Sequence, residues 1–226
     1  MSNTVPAAKV PASQVKAVIW DFGGVFTSSP FERFAEYETE KGMPVGTIRG
    51  INATNPDSNA WAQFERNDVD LDTFDGLFLA ESTAIGHPVP GKDVIALLSG
   101  TLRPEMVRAL DMIRQDRICA CITNNVRAGH GPGISSDSEK AAAVADVMAR
   151  FQIVVESSKV NLRKPDPEIY RLACREIGID PSEAVYLDDL GINLKPAKAL
   201  GMQTIKVTGA QQALTELGAI LDMELL

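Results

Sequence analysis

A chain of 226 residues, 45% of them hydrophobic, is long enough to bury a sizeable core and suits one domain carrying an insertion. Its 22 basic against 30 acidic side chains leave a net charge of -8, which argues against nucleic acid or an acidic membrane surface as partners; no stretch reaches the roughly 18 apolar residues of a membrane span. Three cysteines, Cys119 and Cys121 on one face of a strand pattern and Cys174 in a helical one, read as structural thiols of a reducing compartment, so a cytoplasmic location is expected.

Residues 1–14 are polar, with Pro6 and Pro11 and no apolar core of a signal peptide, and read as a flexible leader. Ala17-Val18-Ile19-Trp20 is an apolar run that ends at Asp21 and is followed by Phe22-Gly23-Gly24-Val25. This is the pattern of a buried parallel strand stopping at a tight turn, where α/β sheets put ligands. Strand and helix alternation is then interrupted. Segments around Phe31, Phe34 and Tyr37, around Trp61 and Phe64, and around Phe74, Leu77 and Phe78 have helical spacing, broken at Gly42-Met43-Pro44 and Asn55-Pro56-Asp57. They predict a small helical cap over residues 31–100, inserted after the first strand. Trp61, Phe64, Phe74 and Phe78 read either as an apolar substrate pocket or as ordinary cap core.

Alternation resumes with a helix through Met106, Leu110 and Ile113 and a strand over 118–122. That strand delivers Thr123, Asn124 and Asn125 to its end, supplying a hydroxyl, an amide and loop N–H donors. The glycine-rich stretch 128–133 reads as a loop near the entrance whose glycines need no ligand to explain them. A helix from about Asp137 to Phe151 opens with a capping box, Ser136 and Glu139, and carries Val144, Val147, Met148 and Phe151 on its apolar side. Lys164 precedes Pro165-Asp166-Pro167, where the prolines stop one segment and start a helix. The run Ala184-Val185-Tyr186-Leu187 ends in Asp188-Asp189, and strands near 153–155, 185–188 and 203–207 complete a five-stranded parallel sheet. Asn193 reads as the N-cap of a helix with Pro196 in its first turn and Gly201 after its end. The expected fold is α/β, a Rossmann-like core over 15–30 and 101–226.

Asp21, Asp188 and Asp189 converging on one rim would repel one another, and a hard divalent cation is the simplest way to hold them together. The Lys164 ammonium would offset carboxylate and phosphate charge. Each piece has an ordinary reading alone: Asp21 as a turn residue, Asp188-Asp189 as a helix cap, Lys164 as a solvated lysine. The order Asp, Thr, Lys, Asp-Asp on successive strand ends is what points to a shared phosphate and metal site.

In that order the motifs resemble the four signatures of the haloacid dehalogenase (HAD) superfamily, over roughly residues 15 to 210. Lys164-Pro165-Asp166-Pro167-Glu168-Ile169-Tyr170, Leu187-Asp188-Asp189 and Asn193-Leu194-Lys195-Pro196-Ala197 are similar to one branch in particular. It contains the N-terminal phosphatase domain of soluble epoxide hydrolase and the related N-terminal domain of an acyl-CoA dehydrogenase-like protein. The resemblance implies a Mg²⁺-dependent phosphatase acting on a small phosphate ester, as a monomer or homodimer. It makes Asp21 the nucleophile that forms an aspartyl-phosphate, has Thr123 and Asn124 bind the transferred phosphoryl group, and has Lys164 neutralise both. The metal would be held by Asp21, the Gly23 carbonyl and Asp189, with Asp188 and Asn193 behind them ordering the acidic loop.

The chain departs from the family pattern at Gly23, where HAD phosphatases usually carry a second Asp as general acid/base, a function worth about 10² to 10⁴ in rate. Two other functions stay open. A metal-independent 2-haloacid dehalogenase also uses an Asp nucleophile without the second Asp, but leaves the paired Asp188-Asp189 unexplained. A catalytically weak scaffold that binds a phosphorylated ligand or a partner protein is the other, and Gly23 is the feature that favours it.

Overall fold

The structure is a computed structural model that describes residues 11–98, 100–125 and 138–226. Ala12–Gln14 form a 3-10 turn, and the first strand, β1 (Ala17–Trp20), follows. Five helices come next: α1 (Pro30–Glu40), α2 (Thr47–Ala53), α3 (Ala60–Glu65), α4 (Leu71–Ala84) and α5 (Gly91–Ala96). The chain then runs α6 (Pro104–Ile113), β2 (Ile118–Thr123), α7 (Ser138–Met148), β3 (Ile153–Glu156), α8 (Ser157–Val160) and α9 (Pro167–Ile177). It ends with β4 (Ala184–Asp188), α10 (Gly191–Ala199), β5 (Gln203–Lys206) and α11 (Ala210–Leu221).

All five strands are parallel, in the order β3-β2-β1-β4-β5. Every residue of β1 and β4 is buried, as expected of apolar strands with helices on both faces. Their side chains alternate across the sheet. Val18, Trp20, Cys119, Cys121, Val185 and Leu187 join the buried residues of α6, α7 and α11, whereas Ile19, Ala120, Ile122 and Tyr186 join those of α9 and α10. The strand periodicity therefore sorted the two cysteines correctly, and both are free, buried thiols. Among the described residues no helix is long and apolar enough to cross a membrane.

The helices between Pro30 and Ala96 have a core of their own. Phe64 stacks on Phe74 at 4.4 Å between ring centroids, and Phe74 meets Trp61 at 5.9 Å and Phe78 at 5.6 Å. Phe64, Phe74 and Phe78 are buried in this cluster, so for these three the packing reading applies, while Trp61 packs against it and stays partly exposed. The chain leaves the sheet domain at Thr27 and Ser28 and returns beside itself: Thr27 bridges Leu102, the Ser28 N–H bonds the Thr101 carbonyl at 2.8 Å, and the Arg103 N–H bonds the Phe26 carbonyl at 2.8 Å.

The sequence reading is corrected at the start of α10. Asn193 is not an N-cap: it is the third residue of α10, the capping position is Leu190, and Pro196 lies in the second turn of the helix, inside it. The reason is that the Asp188 carboxylate already accepts the Leu190 N–H at 2.8 Å, and the Asn193 amide is drawn back onto the same carboxylate. Gly201 does follow the helix end, at φ +101°. Residues 1–10 of the leader, the glycine-rich 128–133 stretch and Ser136 of the capping box lie outside the described residues, whereas Val144, Val147, Met148 and Phe151 are buried as the pattern required.

Candidate active site

The strand order puts β1 in the middle, with β2 and β3 to one side and β4 and β5 to the other. The crevice at the carboxyl ends of β1 and β4 is therefore the topological switch point, where open α/β sheets bind ligands. Trp20 pairs with Leu187 in register, and the Asp21 N–H bonds the Leu187 carbonyl at 2.8 Å, so Asp21 leaves its strand beside Asp188 and Asp189. Carboxylate oxygens of these three residues lie within 4.8 Å of one another.

Lys164 reaches into this cluster from the loop before α9. Its side chain is 1% exposed, and its ammonium lies 2.7 Å from Asp21 Oδ1 and 3.0 Å from Asp188 Oδ2. Burial by itself disfavours the ammonium, but Asp188 and Asp21 overturn that and hold the lysine charged, above its ordinary range. The carboxylates fare differently. Burial pushes Asp21 well above the usual carboxylate range; Lys164 pulls it back, and Asp188 and Asp189 raise it again. Asp189 is pushed up to about 6, first by burial and then by Asp188. One ammonium for three carboxylates leaves the site short of positive charge.

The three acids are not equivalent. Asp188 is fully buried and accepts from Lys164, from the Tyr186 hydroxyl in a short contact, from the Leu190 N–H at 2.8 Å, and from Asn193 Nδ2 at 3.1 and 3.0 Å. A carboxylate has about four lone-pair sites, so this one is fully engaged. Tyr170 donates its hydroxyl to the Asn193 carbonyl at 2.8 Å and packs edge-on against Tyr186 at 5.3 Å, bracing the same arrangement. Asp189, by contrast, is half-buried and lies directly over Gly24. Gly24 has φ +73°, and a Cβ there would meet Asp189 Oδ2 at 2.3 Å. Gly23 is unconstrained: a Cβ on it would meet nothing within 4 Å.

Thr123 ends β2 next to this cluster and is buried, while Asn124 does something its sequence position did not reveal. Its amide clamps the backbone of Lys164 from both sides, accepting the Lys164 N–H at 2.8 Å and donating to the Lys164 carbonyl at 3.0 Å. The side chain is thus spent on placing the lysine, and the backbone is what Asn124 has left to offer a ligand. The structure brings Asp21, Lys164, Asp188 and Asn193 into one hydrogen-bonded and ionic cluster and sets Asp189 within ligand distance of Asp21 and Asp188; Asn124 adjoins it through the Lys164 backbone, Gly23 follows Asp21 by two residues, and Thr123 ends the strand beside β1. Sequence reasoning missed Gly24, Tyr186 and Tyr170. The Gly23-Gly24 pair was the available signal for the first; Tyr186 sat unremarked in an apolar strand run, and Tyr170 entered only as the last residue of the Lys164 motif, with no role of its own.

Residues 15–201 match the family model of haloacid dehalogenase-like hydrolases. Among curated relatives, acyl-CoA dehydrogenase family member 10 of Mus musculus is 33% identical over 93% of this chain, and bifunctional epoxide hydrolase 2 of Sus scrofa is 28% identical over 83%. The matches take in only 19% and 33% of those two proteins, so the chain spans a fifth to a third of their length. A sesquiterpene phosphatase of Aspergillus oryzae is 27% identical over 89% of this chain and 94% of its own. Of solved structures, a HAD family enzyme from Bacteroides thetaiotaomicron in complex with magnesium and inorganic phosphate superposes with a TM-score of 0.56 at 20% identity, covering 90% of this chain and 98% of that one. The L-2-haloacid dehalogenase from Xanthobacter autotrophicus gives 0.57 at 16% identity, covering 91% and 82%. At such identities these two structures speak for the fold alone. With the family model spanning most of its length and the motif acids gathered at the switch point of its sheet, the chain belongs to the haloacid dehalogenase-like hydrolase family.

Proposed function

We propose that this hydrolase is a magnesium-dependent phosphatase that acts on a small phosphate monoester through an aspartyl-phosphate on Asp21. The observation that carries this reading is the charge deficit at the strand ends, three carboxylates against the single buried ammonium of Lys164. A haloacid dehalogenase has no use for such a deficit. The residues present fit a magnesium ion: the donors are hard oxygens, and Gly24 leaves room where a side chain would displace Asp189. Asp21, Asp189 and the Gly23 carbonyl would hold the ion, and when bound it supplies the positive charge that the carboxylates and a phosphoryl group require. Asp188, saturated by its four partners, would fix Lys164 and the start of α10.

In this reading Lys164, 2.7 Å from Asp21, opposes the rise that burial imposes on that carboxylate, and the metal would add to the same effect. An Asp21 oxygen attacks phosphorus, the bond from phosphorus to the leaving oxygen breaks, and water then opens the acyl phosphate, releasing phosphate and restoring the carboxylate. Thr123 through its hydroxyl and Asn124 through its backbone N–H receive the phosphoryl oxygens. Gly23 provides no acid, so the leaving oxygen takes its proton from solvent or departs as an anion. Phosphatase activity of the sesquiterpene phosphatase supports the reaction class, and the magnesium and phosphate bound by the Bacteroides enzyme support the cofactor.

The test is a panel of phosphate esters assayed with magnesium and with excess chelator, alongside 2-chloropropionate, on wild type and Asp21→Asn. Metal-dependent phosphate release that Asp21→Asn abolishes, with its circular dichroism unchanged, is expected. Chelator-insensitive halide release identifies a dehalogenase, and tight phosphate binding without turnover identifies a scaffold; either outcome refutes the reading.

A further inference from the structure

The catalytic cluster does not account for a second set of polar contacts, which ties the cap to the loop that carries Lys164. Glu65, the last residue of α3, is buried on the cap side. Its Oε2 lies 2.5 Å from Nη2 of Arg163, the residue immediately before Lys164. Arg163 Nη1 donates to a second cap group, the Pro56 carbonyl, at 2.9 Å. The Glu65 backbone carbonyl is also held, accepting from the Ser157 hydroxyl at 3.0 Å, and that hydroxyl in turn accepts the Asn125 N–H at 3.0 Å. The end of α3 is therefore joined to both loops that furnish the site, the one after β2 and the one before α9. Resting on the phosphatase reading, we propose that Glu65 and Arg163 form a clasp between cap and core that positions Lys164, so that cap closure sets the geometry of the catalytic lysine.

Three features favour positioning over simple adhesion. The Lys164 backbone is gripped on its core side by the Asn124 amide, at 2.8 and 3.0 Å, and Arg163 provides the matching grip on the cap side. A segment held at both ends is fixed in place; released at one, it is free to shift. Second, the pair is imperfectly satisfied on the arginine's side, because Arg163 Nε is buried without a partner among the described residues. Such a buried pair contributes little net stability, and its attested use is to select one register over others. Third, the seam beside it is not a sealed apolar contact but a cavity of about 350 Å³ bounded by Asp57 and Arg66 of the cap and by Leu162, Pro165 and Asp166 of the core loop. The Glu65 carboxyl, raised by burial and lowered by Arg163, also feels the charge of Lys164, which puts the clasp within electrostatic reach of the site.

The experiment is a double-mutant cycle with Glu65→Gln and Arg163→Gln, plus Arg163→Lys as a conservative variant, on the full chain with magnesium and an aryl phosphate. Each single Gln variant should lower kcat by about tenfold with little change in KM, as expected when a catalytic group is displaced by a fraction of an ångström. The double variant should be no worse than the poorer single, and Arg163→Lys should recover part of the loss. Independently of activity, hydrogen exchange of the peptide covering 161–166 should speed up in both singles while peptides of β1 and β4 stay protected. Additive losses, or unchanged exchange at 161–166, would overturn the clasp. If wild type releases no phosphate, the functional reading fails, and the exchange measurement still decides whether Glu65 and Arg163 order the lysine loop.

Discussion

Gly24→Ala puts the geometry of the acidic loop to a direct test. An added Cβ would lie 2.3 Å from Asp189 Oδ2 and 2.5 Å from its Cγ, where ordinary contact begins near 3.4 Å, so the carboxylate has to move by about 1 Å. Holding alanine at φ +73° costs a further 1–2 kcal/mol or so, because a left-handed residue with a Cβ crowds its own carbonyl. For a chain of this size that strain corresponds to a melting point lower by roughly 2–8 °C. A displacement of about 1 Å in a positioning group costs on the order of 10² in rate. We therefore expect Gly24→Ala to fold, to lose about 100-fold in kcat/KM on an aryl phosphate, and to bind magnesium more weakly by calorimetry. Gly23→Ala is the matched control: its Cβ enters open space, so activity within about twofold of wild type is expected. Wild-type magnesium affinity in Gly24→Ala, or equal damage from the two substitutions, would show that Asp189 does not hold the metal from its present position.

Three further outcomes follow from the same geometry. Gly23→Asp, at a position with room for a side chain and no left-handed backbone demand, should raise turnover of alkyl phosphates by up to about 10² and flatten the dependence on leaving-group pKa; a wild type already insensitive to the leaving group in its chemical step would mean another residue donates the proton. Lys164→Met leaves Asp21 and Asp188 buried and facing each other without their shared cation, so a loss of about 3–5 kcal/mol is expected in denaturant titrations without metal, partly restored by magnesium; full stability without metal would contradict the charge argument. The Asp189 carboxyl, raised to about 6, is protonated below that pH and must give up the proton to a metal. Magnesium affinity should accordingly fall as the pH drops through 6, by about tenfold per unit for Asp189 and more steeply where Asp21, also raised by burial, takes up its proton; titration calorimetry in buffers of different ionisation enthalpy should detect the proton released from Asp189 near pH 6, and its absence there would refute the assignment.

The order of motifs was legible in the sequence because each is a local object. A buried parallel strand is written as four or five apolar residues, a switch-point turn as an acid with glycine behind it, a helix start as Asp166-Pro167, and none of these needs knowledge of what lies across the sheet. The same locality explains why the cap was recognisable as helical while its aromatics were not assignable: spacing reports a face, and only packing reports what that face meets. Asn193 was read as a cap for want of the information that the helix already starts after Leu190 and that Asp188, five residues earlier, claims the Asn193 amide. What the tertiary structure decided were the contacts between distant segments. Asn124 spends its side chain on a backbone 40 residues away, Lys164 chooses Asp21 and Asp188 as its partners, Asp189 settles on the bare Cα of Gly24, and Glu65 finds Arg163 across the seam. Each depends on the sheet order bringing separate strand ends to one crevice, and a hydrogen bond or ion pair is a property of that juxtaposition, which periodicity along the chain does not encode.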